Sequence, residues 1–193
     1  MKLQEIVGEM LEEQLAPIYA QSLALKKYYQ PQLGQKNTNY ETGKGPIAYS
    51  DTAVNLIKKY ESFENKTYLC PSGKKTIGYG TRIEYHPELK KNACITEKKA
   101  TELLKKDLDT LVTPTIKKIL KVKLKQNQLD ALYSLIHNIG QNNFIGSKAM
   151  KYLNMGKFNK MKKEWGEFQM ADGRVLPGLK KRRQEELSLF FKS

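Results

Sequence analysis

Residues 60–81 read Tyr-Glu-Ser-Phe-Glu-Asn-Lys-Thr-Tyr-Leu-Cys-Pro-Ser-Gly-Lys-Lys-Thr-Ile-Gly-Tyr-Gly-Thr, and the chain changes character within them. Just upstream, Ala53, Val54, Ile57 and Tyr60 fall on one helical face, and Ser50 or Asp51 can cap its start. From Thr67 to Thr81, short β-prone pieces flank Pro71-Ser72-Gly73, which suits a turn with Pro second and Gly fourth. Gly78 and Gly80 bracket Tyr79, where a strand bends or another backbone comes close. A helix ending near Glu61 and a hairpin carrying Cys70 and Thr76 can set these three side chains around one cleft.

Downstream the pattern is helical. Thr96 can cap a helix running to about Leu111, and Pro114 can open a short one. Leu129, Leu132, Leu135, Ile136 and Ile139 form a buried helical stripe that Gly140 can end. Further helices are expected at about 147–154, 158–166 and 178–191, with Trp165 in the core. The expected fold is α+β: a small β-hairpin lobe, then a larger all-helical lobe, with a cleft between them. Upstream, residues 3–30 are rich in helix formers, with Leu3, Ile6, Val7, Met10 and Leu11 at helical spacing and Pro17 interrupting. Residues 31–49 hold Pro31, Gly34, Gly43, Gly45 and Pro46 among polar residues and read as a linker. The chain therefore divides into an N-terminal helical extension with linker, 1–50, and a main domain, 51–193.

The net charge is +14, but residues 1–50 carry five Lys and five Glu, so the whole excess lies in 51–193. A basic domain favours a polyanionic partner. Nucleic acid is one alternative, yet no helix-turn-helix, zinc or RNA-binding motif is present. Two cysteines, Cys70 and Cys94, and two histidines, His86 and His137, give no disulfide framework and no metal-ligand spacing. The glycines of Ile77-Gly78-Tyr79-Gly80 lack the Gly-Lys-Ser/Thr of a phosphate loop. No cofactor and no metal are called for. The N-terminus is interrupted by acidic residues and is not a secretory signal.

Glu61 is the candidate acid. The partial negative charge at a helix C-terminus disfavours an ionised carboxylate, and burial by Tyr60, Phe63 and Tyr68 acts the same way. Both effects are expected to raise its pKa, as a general acid requires.

The 60–81 string closely resembles the signature of the phage-type lysozymes (endolysins), the lambdoid and T-even phage lysozymes of glycoside hydrolase family 24. In that family a Glu precedes an aromatic-containing strand, an Asp or Cys, a Pro/Ser-x-Gly turn and Thr-Ile-Gly-Tyr-Gly. Later blocks are similar too: Gln128-Leu129-Asp130-Ala131-Leu132 leading to Asn138-Ile139-Gly140, then Ser147, Leu153-Asn154, Trp165, Gly173, Pro177-Gly178-Leu179 and Arg182-Arg183 followed by Glu185 or Glu186. The resemblance covers about 51–193 and implies a lysozyme-like fold.

Residue by residue, the resemblance implies that Glu61 is the catalytic acid. It puts Cys70 in the place of the Asp that activates or orients water, and it gives Thr76 the task of holding that water. The bond cut would be the β-1,4 link from N-acetylmuramic acid to N-acetylglucosamine in peptidoglycan. Cys70 is also read as a small core thiol, with Lys74 and Lys75 favouring its thiolate if it is catalytic. Cys94 reads as structural, and Arg182 and Arg183 as surface or inter-helix charges. Asn138 reads as a helix-end residue, and no partner is assigned to His86 or His137.

The expected partners are peptidoglycan and, through charge, anionic polymers of the cell envelope, with a monomer acting and no nucleic acid involved. The expected location is the host bacterial cytoplasm, with the periplasm and wall reached through an independent export or holin system. The competing readings are a basic nucleic-acid-binding protein, an inactive wall-binding module, a lytic transglycosylase, and a lysozyme-like bacterial toxin or effector.

Overall fold

The computed structural model describes residues 47–192 apart from 71–72, 90–92 and 172. The helix expected within 3–30 and the linker up to residue 46 lie outside the described residues. The last residues read as linker belong to the body: Ile47 and Tyr49 pack on the core, and the Tyr49 hydroxyl donates to the Lys105 carbonyl at 3.2 Å.

Helix α1 (Asp51–Glu61) is capped by Ser50, whose hydroxyl accepts from the Thr52 amide. The same serine reaches across the fold. Its amide and hydroxyl donate to the buried Asp130 carboxylate at 2.8 and 2.6 Å, so one residue both starts α1 and pins it to the centre of the molecule. Ala53, Val54, Leu56 and Ile57 form the buried face of α1, and its last residue is Glu61.

A three-stranded antiparallel sheet follows: β1 (Glu64–Leu69), β2 (Lys75–Gly78) and β3 (Thr81–Arg82), in that order. Tyr68 faces Thr76 and Leu69 faces Lys75, with an irregularity between Glu64 and Tyr68 that bends β1. The Gly73 amide donates to the Cys70 carbonyl at 2.8 Å, which closes the turn between β1 and β2. β2 ends at Gly78, whose φ is +67°. A Cβ there would stand 2.9 Å from the Ala100 Cβ, closer than real Cβ atoms come, so glycine is what lets the sheet lie against the next helix.

That helix is α2 (Glu97–Asp107), capped by the Thr96 hydroxyl on the Lys99 amide. It continues through a π-helical turn, Leu108–Val112, into α3 (Thr113–Ile119). Asn154 terminates α3 from a distance, its side chain accepting from the Lys121 amide and donating to the Ile119 carbonyl, each at 2.8 Å. Helix α4 (Gln126–Ile139) is buried at every position from Leu129 to Ile136. Burial all round, rather than on one stripe, marks it as the central helix.

Packed around α4 are α5 (Gln141–Phe144), α6 (Lys148–Asn154), α7 (Phe158–Gly166) and α8 (Pro177–Phe190). Ser147 caps α6, and Pro177 opens α8. Trp165 is fully buried and meets the Phe190 ring edge-on at 5.7 Å. Between α7 and α8 lies a short hairpin the sequence pattern did not announce, β4 (Met170–Ala171) with β5 (Arg174–Val175). The result is the expected α+β arrangement, a small antiparallel sheet beside a larger helical lobe.

Candidate active site

Glu61 closes α1, and three other parts of the fold meet its carboxylate. Arg182 Nη1, from α8, donates to Glu61 Oε1 at 2.6 Å. His137 Nδ1, from α4, stands 3.5 Å from the same oxygen. The corner after β2 closes the other side: a Cβ on Gly80 (φ +85°) would lie 3.5 Å from Glu61 Oε2 and 3.8 Å from His137 Cε1. Directly after the acid, Ser62 holds φ 54° and ψ 152°, a conformation that L residues rarely adopt.

These neighbours reverse the expected titration of Glu61. Burial pushes its pKa up, as anticipated. The nearby His137 and the Arg182 guanidinium outweigh that and hold it down at about 2, well below the ordinary 4.5. The decisive partners lie on α4 and α8, far from Glu61 in sequence.

Arg182 is itself held from behind. Arg182 and Arg183 are buried inter-helix charges, which corrects the surface reading. Glu186, one turn on, is fully buried. It accepts from Arg182 Nε at 3.2 Å, Arg183 Nη2 at 2.9 Å, the Ser134 hydroxyl at 2.7 Å and the Trp165 indole at 3.1 Å. A buried cation needs such a partner. Glu186 supplies it for both arginines, so it is the buried carboxylate that follows Arg182-Arg183. Glu185 instead faces outward to Lys59 and the Tyr60 hydroxyl. Asn138 accepts from Arg183 Nη2 at 2.9 Å, which makes it part of this support. The i, i+4 spacing of Arg182 and Glu186 was the sequence signal for the network. His86 also has partners: it is buried, with Nε2 2.7 Å from Asp107 and Nδ1 3.2 Å from Glu88.

Thr76 is buried in the middle of the sheet, and its hydroxyl donates to the Lys74 carbonyl at 3.1 Å. Cys70 is half-buried at the end of β1, its amide bonded to the same carbonyl at 3.0 Å. Tyr68 faces Thr76 across the pair, and strand alternation puts Cys70 on that same side. Burial raises the Tyr68 pKa, and the charges of Glu61 and Cys70 raise it further, so both groups lie within electrostatic reach of its phenol. Cys94 is exposed and forms an isolated β-bridge with Lys66.

A buried-arginine-backed carboxylate at a helix end, facing a short antiparallel sheet beside a helical lobe, is the frame of a lysozyme-fold glycoside hydrolase. The phage lysozyme family model matches residues 58–186. The chain is 37% identical over 143 residues to the endolysin of Bacillus phage B103, covering 73% of this chain and 53% of that protein. It is 38% identical over 145 residues to the endolysin of Acyrthosiphon pisum secondary endosymbiont phage 1, covering 73% of this chain and 96% of the other. The muramidase domain of SpmX from Asticaccaulis excentricus superposes with a TM-score of 0.68 at 30% identity, over 76% of this chain and 99% of that one. The chain belongs to the phage lysozyme family, a family of glycoside hydrolases. Among the described residues no helix is long and apolar enough to cross a membrane.

Proposed function

We propose that this protein hydrolyses the β-1,4 bond between N-acetylmuramic acid and N-acetylglucosamine in bacterial peptidoglycan, with Glu61 as the acid and with Cys70 and Thr76 governing the attacking water. The observation that carries this reading is the placement of Glu61. It is a carboxylate held at a helix end by a buried arginine and standing against the Gly80 corner that follows β2.

To protonate the leaving oxygen, Glu61 must hold a proton against the pull of Arg182. Sugar laid over the carboxylate removes water from it, and desolvation favours the protonated form. Arg182 then stabilises the carboxylate left after transfer, and Glu186 keeps Arg182 in place. On the other side of the sugar, the Cys70 thiolate takes a proton from water, while Thr76 holds that water.

The catalytic domain is 47–193, because Ile47, Tyr49 and Ser50 pack and bond into its core, and the residues before it are an extension. The enzyme acts as a monomer and does not use nucleic acid as a partner. Its surplus of positive charge holds it to anionic envelope polymers. It is made in the cytoplasm of a bacterial host and reaches the wall through a separate export or holin system, ending in lysis. The test is digestion of purified peptidoglycan with mass analysis of the fragments. Hydrolysis yields reducing muramic-acid ends. Anhydro ends would make the protein a transglycosylase, and no fragments at all would overturn the reading.

A further inference from the structure

The Glu61 carboxylate sits among ionisable groups of unequal use. On α8, Arg182 and Arg183 stay charged at any working pH, and Glu186 is occupied by four donors. On β1, Tyr68 is pushed above its ordinary range. From α4 comes His137, the one side chain facing Glu61, among the described residues, of a type that exchanges protons between about pH 5 and 8. Its side chain is only 12% exposed, and its Nδ1 has no hydrogen-bond partner among the described residues, yet it stands 3.5 Å from Glu61 Oε1. Gly80 lacks the side chain that would press on both groups. A buried, polar nitrogen left without a bond at that distance from a carboxylate is a contact poised to shorten.

We propose that His137 returns the proton to Glu61. When sugar covers the carboxylate, the His137 imidazolium passes its Nδ1 proton to Glu61 Oε1: the N–H bond breaks, an O–H bond forms, and a neutral imidazole faces a neutral acid. Glu61 gives that proton to the leaving glycosidic oxygen, and the attacking water releases one on the Cys70 side. His137 takes a proton back from solvent, so the cycle is balanced. The inference rests on Glu61 being the acid. His137 acts through Glu61 and is therefore a positioning residue, not a catalytic one.

The test is the pH dependence of kcat on purified peptidoglycan for wild type, His137→Phe and His137→Gln, with Glu61→Gln alongside. Both histidine variants are expected to lose roughly tenfold or more at pH 7. Their basic limb should move down by about one pH unit or more, and their KM should change by less than about twofold. A uniform loss at every pH, or a basic limb that does not move, overturns the proposal. A Glu61→Gln enzyme with near wild-type turnover would instead overturn the acid assignment itself. Should the histidine variants not fold, NMR of the His137 ring in wild type and Glu61→Gln decides. At one pH the ring signals should differ between the two, because the carboxylate beside Nδ1 is gone. Identical signals overturn the pairing.

Discussion

Burial and the end of α1 push a proton onto Glu61; Arg182 and His137 push it off, and they prevail. A carboxyl whose folded pKa lies below its unfolded value stabilises the fold above the unfolded pKa. It loses that contribution as pH falls through the folded one. For Glu61 the window runs from 4.5 down to about 2, and the shift corresponds to roughly 3 kcal/mol. Chemical denaturation across that range should show stability falling more steeply in wild type than in Glu61→Gln. Parallel curves would mean the ion pair contributes nothing. At Cys70 the expectation is chemical. Cys70→Asp keeps substantial turnover because an ionised carboxylate can still orient and deprotonate water, whereas Cys70→Ala loses about tenfold or more. An alanine variant that matches wild type would reduce Cys70 to packing. At this scale Glu61, Cys70 and Thr76 were legible because they lie in one short string. Arg182 and His137 were not legible as partners of Glu61, being 121 and 76 positions away; no local rule connects them.

Among the elements, helix starts were the most legible feature. Ser50, Thr96 and Ser147 cap where a small hydroxyl residue precedes an apolar period. The β4–β5 hairpin was not legible, because two-residue strands leave no alternation to read. The seam between β2 and α2 carries a sharp prediction. Gly78→Ala places a methyl 2.9 Å from the Ala100 Cβ and 3.3 Å from Ile95 Cδ1, at a φ of +67° that alanine resists. The expected loss is about 2–4 kcal/mol, overpacking plus backbone strain, read by thermal or denaturant melting. A cost below about 0.5 kcal/mol would mean the sheet is not seated on α2 through this glycine.

Over the whole molecule, the core runs from Ile47 and Tyr49 to Phe190. Because Ser50 also ties α1 to Asp130, a fragment beginning at residue 47 is expected to fold and to digest purified peptidoglycan at close to the full-length rate. A fragment beginning at 51 should melt lower by several degrees, since a cap and a buried polar pairing each contribute on the order of 1 kcal/mol or more. Equal melting of the two would show that residues 47–50 are dispensable. An inactive 47–193 fragment would show that the preceding residues belong to the catalytic domain.

The central claim is that Glu61 supplies the proton that cleaves the sugar chain. It is tested most directly by the turnover of Glu61→Gln on purified peptidoglycan, in a variant shown to be folded by its circular dichroism. The glutamine fills the same space and can still accept from Arg182, but it cannot donate an acidic proton, so turnover should fall by about 10²–10⁴-fold or more. A folded Glu61→Gln protein within tenfold of the wild-type rate would contradict the account.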